Sequence, residues 1–419
     1  MRDLLFLAHR IPYPPDKGDK IRSCHVLTYL SRRFRVHLGC FFDDSTDERH
    51  VASLREICAS VYCIPLSRAK KIRRGLGGLI TGKSMSETVY RDRRMQAWVR
   101  KIIGAHDIRD IFVFCSLMAP YVDVIKHGRR IVVDVVDVDS EKWGAYAHRA
   151  RWPLNKVYCF EQRHVRSLER RAAAGCDRAL FVSKAEAATF LQFAPELSNQ
   201  VGILENGVDV DHFDPDRNYP NPFEAGNPAI VFTGVMDYWP NIDAVAWFAS
   251  EALPAVRRIH ERAQFWIVGT NPAASVRKLS RQPGVQVTGA VKDVRPYLAN
   301  AACCIAPMRI ARGVQNKVLE AMAMAKPVVL TPAALEGLSA IPKRDVLVAS
   351  DASGFADCVI KILSGCADQL SRAARARIET DYSWDKNLKV LDSLYQRGPL
   401  DAVPSTSGPD RQPASVNTR

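Results

Sequence analysis

Short apolar runs alternate with amphipathic stretches along most of this chain. Runs of uninterrupted apolar residues separated by amphipathic helices are typical of parallel β-sheets that are covered by helices on both faces. The pattern therefore predicts an α/β fold, and 419 residues are enough for two domains of common size. The runs are DLLFLA, RVHLGCFF, IFVFC, RIVVDVVDV and ALFVS in the first half, and AIVFTG, FWIVGT, VQVTG, CCIAPM and PVVLT in the second.

The alternation is interrupted once, over residues 205–227. This segment is rich in Pro, Asn, Asp and Gly, which is typical of a linker between domains. We therefore predict a first domain over residues 1–215 and a second over 225–381. A helix carrying aromatic residues is predicted over 382–397, and the polar remainder, 398–419, is predicted to be disordered.

The net charge limits the classes of binding partner, and the cysteine pattern limits the kinds of metal site and disulfide. The formal net charge is +14 and the pI is near 9.3, so affinity for polyanions is expected, and nucleotide phosphates, nucleic acid and an anionic membrane all satisfy it. No helix-turn-helix, RNA-recognition or zinc-finger pattern accompanies the charge, so we do not expect nucleic acid as a partner. The eleven cysteines are scattered and form no CxxC pair, so neither a zinc site nor a disulfide framework is indicated.

The N-terminal apolar run, residues 4–8, is too short for a signal sequence and is predicted to be the first β-strand. No stretch reaches about 18 uninterrupted apolar residues. The sequence therefore predicts a cytoplasmic protein whose contact with a membrane, if any, is peripheral.

The most informative motif lies within residues 303–329, CCIAPMRIARGVQNKVLEAMAMAKPVV. It predicts a short apolar strand, a turn carrying Arg309, Arg312 and Gly313, and a helix that stops before Pro327. A helix N-terminus offers unpaired N–H groups and a partial positive charge to an anion, and neighbouring cations supply countercharge. This motif predicts a site for a diphosphate.

Two charged residues, Lys317 and Glu320, lie three positions apart and hence on one face of that helix. A carboxylate one turn behind a phosphate site can accept hydrogen bonds from a ribose diol, so the sequence favours a nucleotide-diphosphate site. An acidic residue on an amphipathic helix is also commonly a solvated or ion-paired surface group, with Lys317 as its partner. The sequence alone leaves both interpretations open.

The motif resembles that of family 4 glycosyltransferases, which have the two-domain GT-B fold. Their second domain presents an acidic residue, seven positions, and a second acidic residue. Glu320 matches the second acid, whereas the first falls on Arg312, a departure from the family. The resemblance implies two Rossmann-like, doubly wound domains facing each other across a cleft, a donor site that includes Gly234 and Asn316, and a terminal helix that crosses back to the first domain.

In the first half, HRIPYPPDKGDKIRSCHVLTYL resembles the sugar transferases associated with exosortase and PEP-CTERM exopolysaccharide gene clusters. Gly18 in this segment would allow the backbone to approach a bound sugar or phosphate. The resemblance implies a retaining transfer from a nucleotide-diphosphate sugar to a glycan or polyprenyl-linked acceptor in exopolysaccharide biosynthesis. No Asp-x-Asp stands in a setting that demands a divalent ion, and cations with a helix dipole can stabilise the leaving group, so we expect no metal and no cofactor. Asp137 and Asp139, after an apolar strand, are candidates for orienting the acceptor hydroxyl, although acids there are often helix caps or salt-bridge partners.

A second departure occurs in FTGVMDYWPN, where many family members carry an Arg just after the glycine and a Lys several residues later. Those places hold Val235 or Met236 and Asn241 here. We therefore assign the charge that faces the diphosphate to Arg309, Arg312 and Lys317, which lie in and after the turn.

Two basic segments, 67–78 and 90–101, are predicted either to lie on an anionic membrane or to be ordinary solvated helix faces. Two alternatives to a glycosyltransferase stay open. One is a nucleotide-sugar epimerase of the GT-B fold, and the other is a non-enzymatic, basic protein that binds polyanions.

Overall fold

The computed structural model describes residues 1–15, 18–42, 45–123, 125, 128–311 and 313–396. Its first domain is a seven-stranded parallel sheet with strand order β3-β2-β1-β4-β5-β6-β7. The strands are Arg2–Ala8 (β1), Phe34–Phe42 (β2), Ser60–Pro65 (β3), Asp110–Phe114 (β4), Arg130–Val136 (β5), Arg178–Phe181 (β6) and Val201–Ile203 (β7).

Eight α-helices of the described part of this domain cover the two faces of the sheet. Short 3-10 segments at Ser45–His50, Ser116–Tyr121 and Pro195–Leu197 supplement them. The helices are Gly18–Ser31 (α1), Val51–Ile57 (α2), Arg68–Ile80 (α3), Met85–Val89 (α4), Arg93–His106 (α5), Asp139–Arg149 (α6), Leu154–Ala174 (α7) and Lys184–Leu191 (α8).

The second domain is a six-stranded parallel sheet with strand order β10-β9-β8-β11-β12-β13. Its strands are Ala229–Thr233 (β8), Gln264–Val268 (β9), Val285–Gly289 (β10), Cys303–Ala306 (β11), Val328–Leu330 (β12) and Leu347–Val348 (β13). Its helices are Trp239–Trp247 (α9), joined by a π-helical turn to Leu253–Ile259 (α10), then Ala274–Leu279 (α11), Arg295–Ala299 (α12), Asn316–Ala323 (α13), Pro332–Leu335 (α14), Ala352–Leu363 (α15) and Asp368–Asp381 (α16). Neighbouring strands of both sheets pair in parallel throughout the described residues.

The strands are buried on both faces of the sheet. Their sequences therefore show no alternation of apolar and polar residues. In β1, Leu5 and Leu7 belong to the core cluster on one face of the sheet. Leu4 and Phe6 belong to the cluster on the other face. Because successive side chains of a strand point to opposite faces, a sheet covered on both sides requires an apolar residue at every position. The two parallel-sheet domains confirm the predicted doubly wound α/β class.

The chain leaves the first sheet after β7 and begins the second at β8, so the connection spans residues 204–228. The helix predicted over 382–397 is two short helices, Trp384–Leu388 (α17) and Val390–Tyr395 (α18). Both pack on the first domain, where Tyr395 Oη donates a hydrogen bond of 3.0 Å to the Ile111 carbonyl. The tail predicted to be disordered, 398–419, lies outside the described residues. Within the described ranges, no helix has the length and apolar character to cross a membrane.

Candidate functional site

A cleft with a volume of about 1420 Å³ separates the two domains. The carboxyl ends of both sheets open into it, which is where parallel α/β sheets bind ligands. The structure brings most of the predicted site residues to this cleft. Those that line it are Gly18, Asp137, Asp139, Gly234, Asn316, Lys317 and Glu320.

Helix α13 forms much of the second domain's wall. It begins at Asn316, after Gln315 in extended conformation, and it ends before Ala325, whose φ of 50° is left-handed and incompatible with continuing the helix. Val318, Leu319 and Met322 are buried in the domain core. Lys317 and Glu320 are on the face that lines the cleft, so the helical spacing read from the sequence places them together.

The Lys317 ammonium is held by neutral groups. Its Nζ donates a hydrogen bond of 2.9 Å to Asn241 Oδ1 and lies 4.8 Å from the centre of the Phe232 ring. Asn241 occupies the position where the family that the sequence resembles often has a lysine. In this chain the amide of Asn241 therefore orients the one lysine of α13 instead of adding a second cation.

Both charged side chains of α13 are strongly perturbed by burial. Burial raises the pKa of Glu320 to about 7, and the neighbouring Lys317 charge opposes that rise. Burial lowers the pKa of Lys317 to about 8, and Glu320 opposes that fall. A carboxyl and an ammonium in a cleft with shifted pKa values are typical of a functional site.

The raised pKa of Glu320 predicts a pH dependence of stability. Between the ordinary carboxyl pKa of about 4.3 and about 7, the folded protein binds more protons at this residue than the unfolded chain does, so the free energy of unfolding falls as pH rises. The slope is at most about 1.4 kcal/mol per pH unit for one group. Denaturant titrations of the wild type and Glu320→Gln between these pH values should give a shallower slope for the variant. Equal slopes would contradict a raised pKa at this position.

The turns that follow β8 and β9 are in direct backbone contact through Gly234 and Gly269. A Cβ at Gly269 would lie 1.7 Å from the Gly234 carbonyl oxygen, so no side chain fits there. The turns consequently form one compact shelf, and Thr270 and Asn271 of the second turn also line the cleft. Sequence analysis identified only Gly234, although the strand FWIVGT, which resembles AIVFTG in ending before a glycine, carried the signal for the second turn.

The first domain contributes a buried hydrogen-bond chain that sequence analysis missed. Arg22 on α1 donates two bonds of 2.8 Å to the carboxylate of Asp134, which is fully buried. Its third nitrogen donates to Asn206 Oδ1 at 2.8 Å, and Asn206 Nδ2 donates to Asn316 Oδ1 at 3.1 Å. The chain therefore runs from the sheet of the first domain to the first residue of α13. Gly18 adjoins its end, since a Cβ there would lie 3.6 Å from the Asn316 amide.

Asp137 lies where the two domains touch. A Cβ on Gly313, whose φ is +62°, would lie 2.0 Å from Asp137 Oδ1, so only glycine permits this approach. Burial raises the pKa of Asp137 to about 7, while the Lys142 charge opposes the rise. The Gly313 N–H donates to Glu186 Oε1 at 3.3 Å, which adds a second contact across the same seam.

Asp139 is the first residue of α6 and pairs with Lys142 at 3.0 Å. Its salt-bridge role was one of the two interpretations of the sequence, and the structure supplies that partner. Asp137 Oδ1, by contrast, is a buried oxygen with no hydrogen-bond partner among the described residues. The two acids at the end of β5 therefore have different surroundings.

The described residues of the turn before α13 that were predicted to bind a diphosphate, Arg309 and Gly313, do not line the cleft. Arg309 forms a two-point ion pair with Asp243 of α9, including a bond of 3.0 Å from Nε, and it does not line the cleft. Asp243 therefore holds the Arg309 guanidinium away from the cleft in this structure, and the contact of Arg309 with a diphosphate stays a prediction. Arg312 lies outside the described residues. Gly313 contacts Asp137 and is not part of the cleft lining.

Comparison with known proteins adds sequence and fold relationships. Residues 227–365 match the family model described as glycosyl transferases group 1, so the sequence pattern of such a domain occupies the second domain. No curated protein matches the chain significantly by sequence.

Solved structures share the fold over nearly the whole chain. Sucrose-phosphate synthase from Thermosynechococcus elongatus superposes with a TM-score of 0.70 at 14% identity, covering 94% of this chain and 98% of that one. Anabaena HepE in complex with UDP-glucose gives 0.63 at 14% identity, with coverages of 94% and 99%. WaaG, a glycosyltransferase involved in lipopolysaccharide biosynthesis, gives 0.64 at 15% identity, with the same coverages. The chain has the GT-B fold.

Proposed function

We propose that this protein is a retaining glycosyltransferase that moves a sugar from a nucleotide-diphosphate donor to a glycan or lipid-linked acceptor in exopolysaccharide biosynthesis. The observation that carries the proposal is the face of α13, where Lys317 and Glu320 open together into a cleft between two parallel-sheet domains. The match of residues 227–365 to group 1 glycosyl transferases supports it, because that match includes α13. The neighbouring structure with bound UDP-glucose supports a nucleotide sugar as donor.

The chemistry needs stabilisation of a leaving group. When the glycosidic C–O bond breaks, negative charge grows on the departing diphosphate. The N-terminal N–H groups of α13 and the Lys317 ammonium are the groups we assign to that charge, and the Glu320 carboxylate would accept hydrogen bonds from the ribose. For retention, the acceptor oxygen attacks the face from which the diphosphate departs. Asp137 would orient the acceptor hydroxyl from the opposite wall.

The proposal predicts stabilisation by a sugar nucleotide. In a thermal-shift screen of UDP-, GDP- and ADP-sugars, at least one compound should raise the melting temperature, since a ligand at 100 times its Kd stabilises the fold by about 2.7 kcal/mol. Glu320→Gln keeps the shape of the side chain and removes its charge, so it should reduce this shift for the same compound. The exposed Glu261→Gln in the same domain is the matched control and should leave the shift unchanged. No shift with any of the three nucleotides would overturn the proposal.

A polyprenyl-linked acceptor and an anionic membrane surface complete the proposal. Of the two basic segments, only the one in α3 has an apolar stripe that the protein leaves uncovered: Ile72, Leu76 and Ile80 are 57%, 55% and 86% exposed. They repeat every four residues and so share one face of the helix. The other face of α3 packs through Gly75 and Gly78, which are buried.

Charge around this stripe suits an anionic bilayer. Arg68 and Arg73 are exposed and, at helical spacing, lie on the two sides of the stripe. In α5, which contains most of the second basic segment, Met95, Val99 and Ile103 are buried in the core. The apolar face of α5 is therefore a packing face, and the membrane interpretation of residues 90–101 has no support.

Replacing Ile72, Leu76 and Ile80 by serine should weaken binding to vesicles by about tenfold or more, because each buried aliphatic side chain contributes roughly 1.5–3 kcal/mol when fully transferred from water. The measurement is co-sedimentation with phosphatidylcholine vesicles that contain phosphatidylglycerol, at low salt. Ile259→Ser is the matched control, since Ile259 is 67% exposed on α10 of the other domain. Equal binding by the triple variant and the wild type would remove α3 as the membrane contact.

A further inference from the structure

Two cysteines face each other on neighbouring strands at the edge of the first sheet. Cys40 of β2 and Cys63 of β3 are register partners, and their Sγ atoms are 3.3 Å apart. Neighbouring strands are spaced about 4.8 Å apart, and disulfides join Cα atoms at about 4.4–6.8 Å. The backbone of this pair is therefore already within the range that a disulfide requires.

The two thiols differ in exposure and in acidity. Cys40 is completely buried, whereas Cys63 is partly accessible. The hydrogen bond from Cys40 and the charge of Arg55 lower the pKa of Cys63. The same hydrogen bond, together with burial, raises the pKa of Cys40. The residue with the greater exposure therefore also has the lowered thiol pKa, and the second thiol lies beside it. This is the arrangement of an attacking and a resolving cysteine.

We infer that Cys40 and Cys63 form an oxidisable thiol pair that hydroperoxides convert to an intrachain disulfide. In the first step the Cys63 thiolate attacks hydrogen peroxide, the O–O bond breaks, and a sulfenic acid and hydroxide form. In the second step the Cys40 sulfur attacks the Cys63 sulfur, the S–O bond breaks, and water leaves. Two thiols are oxidised while one peroxide is reduced to two waters.

Three other cysteines, one beside the pair and two in the second domain, lack these properties. Burial raises the pKa of Cys58 to about 12, so its thiol stays protonated and unreactive. Cys303 and Cys304 are both buried in the second domain, where burial raises the pKa of each thiol. The pair at β2 and β3 should therefore oxidise before these thiols.

The disulfide would tie an edge strand to its neighbour. β3 is the outermost strand of the seven-stranded sheet. The loop that the bond would close includes Asp47, whose carboxylate accepts a hydrogen bond of 3.0 Å from Lys20 of α1. Oxidation would consequently restrict the segment between β2 and β3. This inference does not depend on the proposed glycosyltransferase activity.

The test is intact and peptide mass spectrometry of the full-length protein after treatment with hydrogen peroxide, followed by alkylation of the remaining thiols. We expect a mass loss equal to two hydrogen atoms before alkylation, two fewer alkylated thiols than the eleven of the reduced protein, and a peptide that links Cys40 to Cys63. The melting temperature should also rise, since the bond closes a loop. Recovery of both thiols in alkylated form, or a peptide that links Cys58 to Cys63, would overturn the inference.

Two variants separate the roles of the sulfurs. Cys40→Ser removes the resolving thiol, so Cys63 should stop at the sulfenic acid and be labelled by dimedone. Cys58→Ser is the matched control, because it removes a neighbouring buried thiol and should form the disulfide as the wild type does. Dimedone labelling in Cys40→Ser at another cysteine but not at Cys63 would count against the assignment. If Cys40→Ser fails to fold, the wild-type peptide map alone decides the question.

Discussion

Replacing Arg22 by alanine is expected to lower the free energy of unfolding by about 3–5 kcal/mol. The guanidinium makes two bonds of 2.8 Å to Asp134, and both side chains are almost completely buried. Removing one partner of a buried pair leaves the other charge without compensation in a region that water does not reach. The variant also removes the hydrogen bond to Asn206 that continues toward α13.

Urea denaturation followed by circular dichroism measures this effect. The matched control is Arg109→Ala, because Arg109 pairs with Asp107 at 3.0 Å on the surface, with both side chains more than half exposed. Exposed pairs contribute about 0–1 kcal/mol, so the control should unfold near the wild-type midpoint. The double variant Arg22→Ala/Asp134→Ala should recover part of the loss, since it removes the unpaired carboxylate. If Arg22→Ala and Arg109→Ala unfold at the same urea concentration, the buried pair contributes no more to stability than the exposed pair does.

Replacing Lys317 by methionine is expected to weaken donor binding by about 1.5–3 kcal/mol, or roughly 10- to 150-fold. Methionine keeps an unbranched apolar side chain and removes the ammonium, which lies 4.8 Å from the centre of the Phe232 ring. With Arg309 held by Asp243, Lys317 is the cation of the predicted set that lines the cleft in the described structure. Loss of its charge should therefore affect the diphosphate most.

Calorimetry with the nucleoside diphosphate of the donor found by thermal shift gives the affinity directly. Lys326→Met is the matched control, since Lys326 follows the same helix, is partly buried, and does not line the cleft. The control should bind within about twofold of the wild type. A Lys317→Met variant with wild-type affinity would mean that the helix N-terminus alone accounts for binding of the diphosphate.

The helices and strands could be predicted from the sequence because the residues that determine them are close together in the chain. The strand, the turn and helix α13 lie within 27 consecutive residues. Neighbouring residues determine the strand at Cys303–Ala306, the start of the helix after Gln315 and its end before Pro327. The same holds for the apolar strands, since a sheet covered on both faces leaves an uninterrupted apolar run.

The contacts that complete the cleft were not predictable, because they join residues far apart in the chain. Arg22 and Asn206 are separated by 184 positions, and Asn206 and Asn316 by 110. Arg309 likewise binds Asp243, a residue of another helix that lies 66 positions earlier in the chain. Spacing along a sequence identifies which face of a helix a residue occupies, but it contains no information about the partner that a different element brings to that face.

The return of the last helices to the first sheet has a consequence for biosynthesis. Trp384, Leu388, Leu391 and Tyr395 share a core cluster with Leu4 and Phe6, at the other end of the chain. The ribosome releases the N-terminal residues long before it adds these four, so the first domain to emerge is the one whose core is completed last. A nascent first domain therefore exposes the apolar surface that these four residues cover until they have been translated, and exposed surface of this kind promotes aggregation.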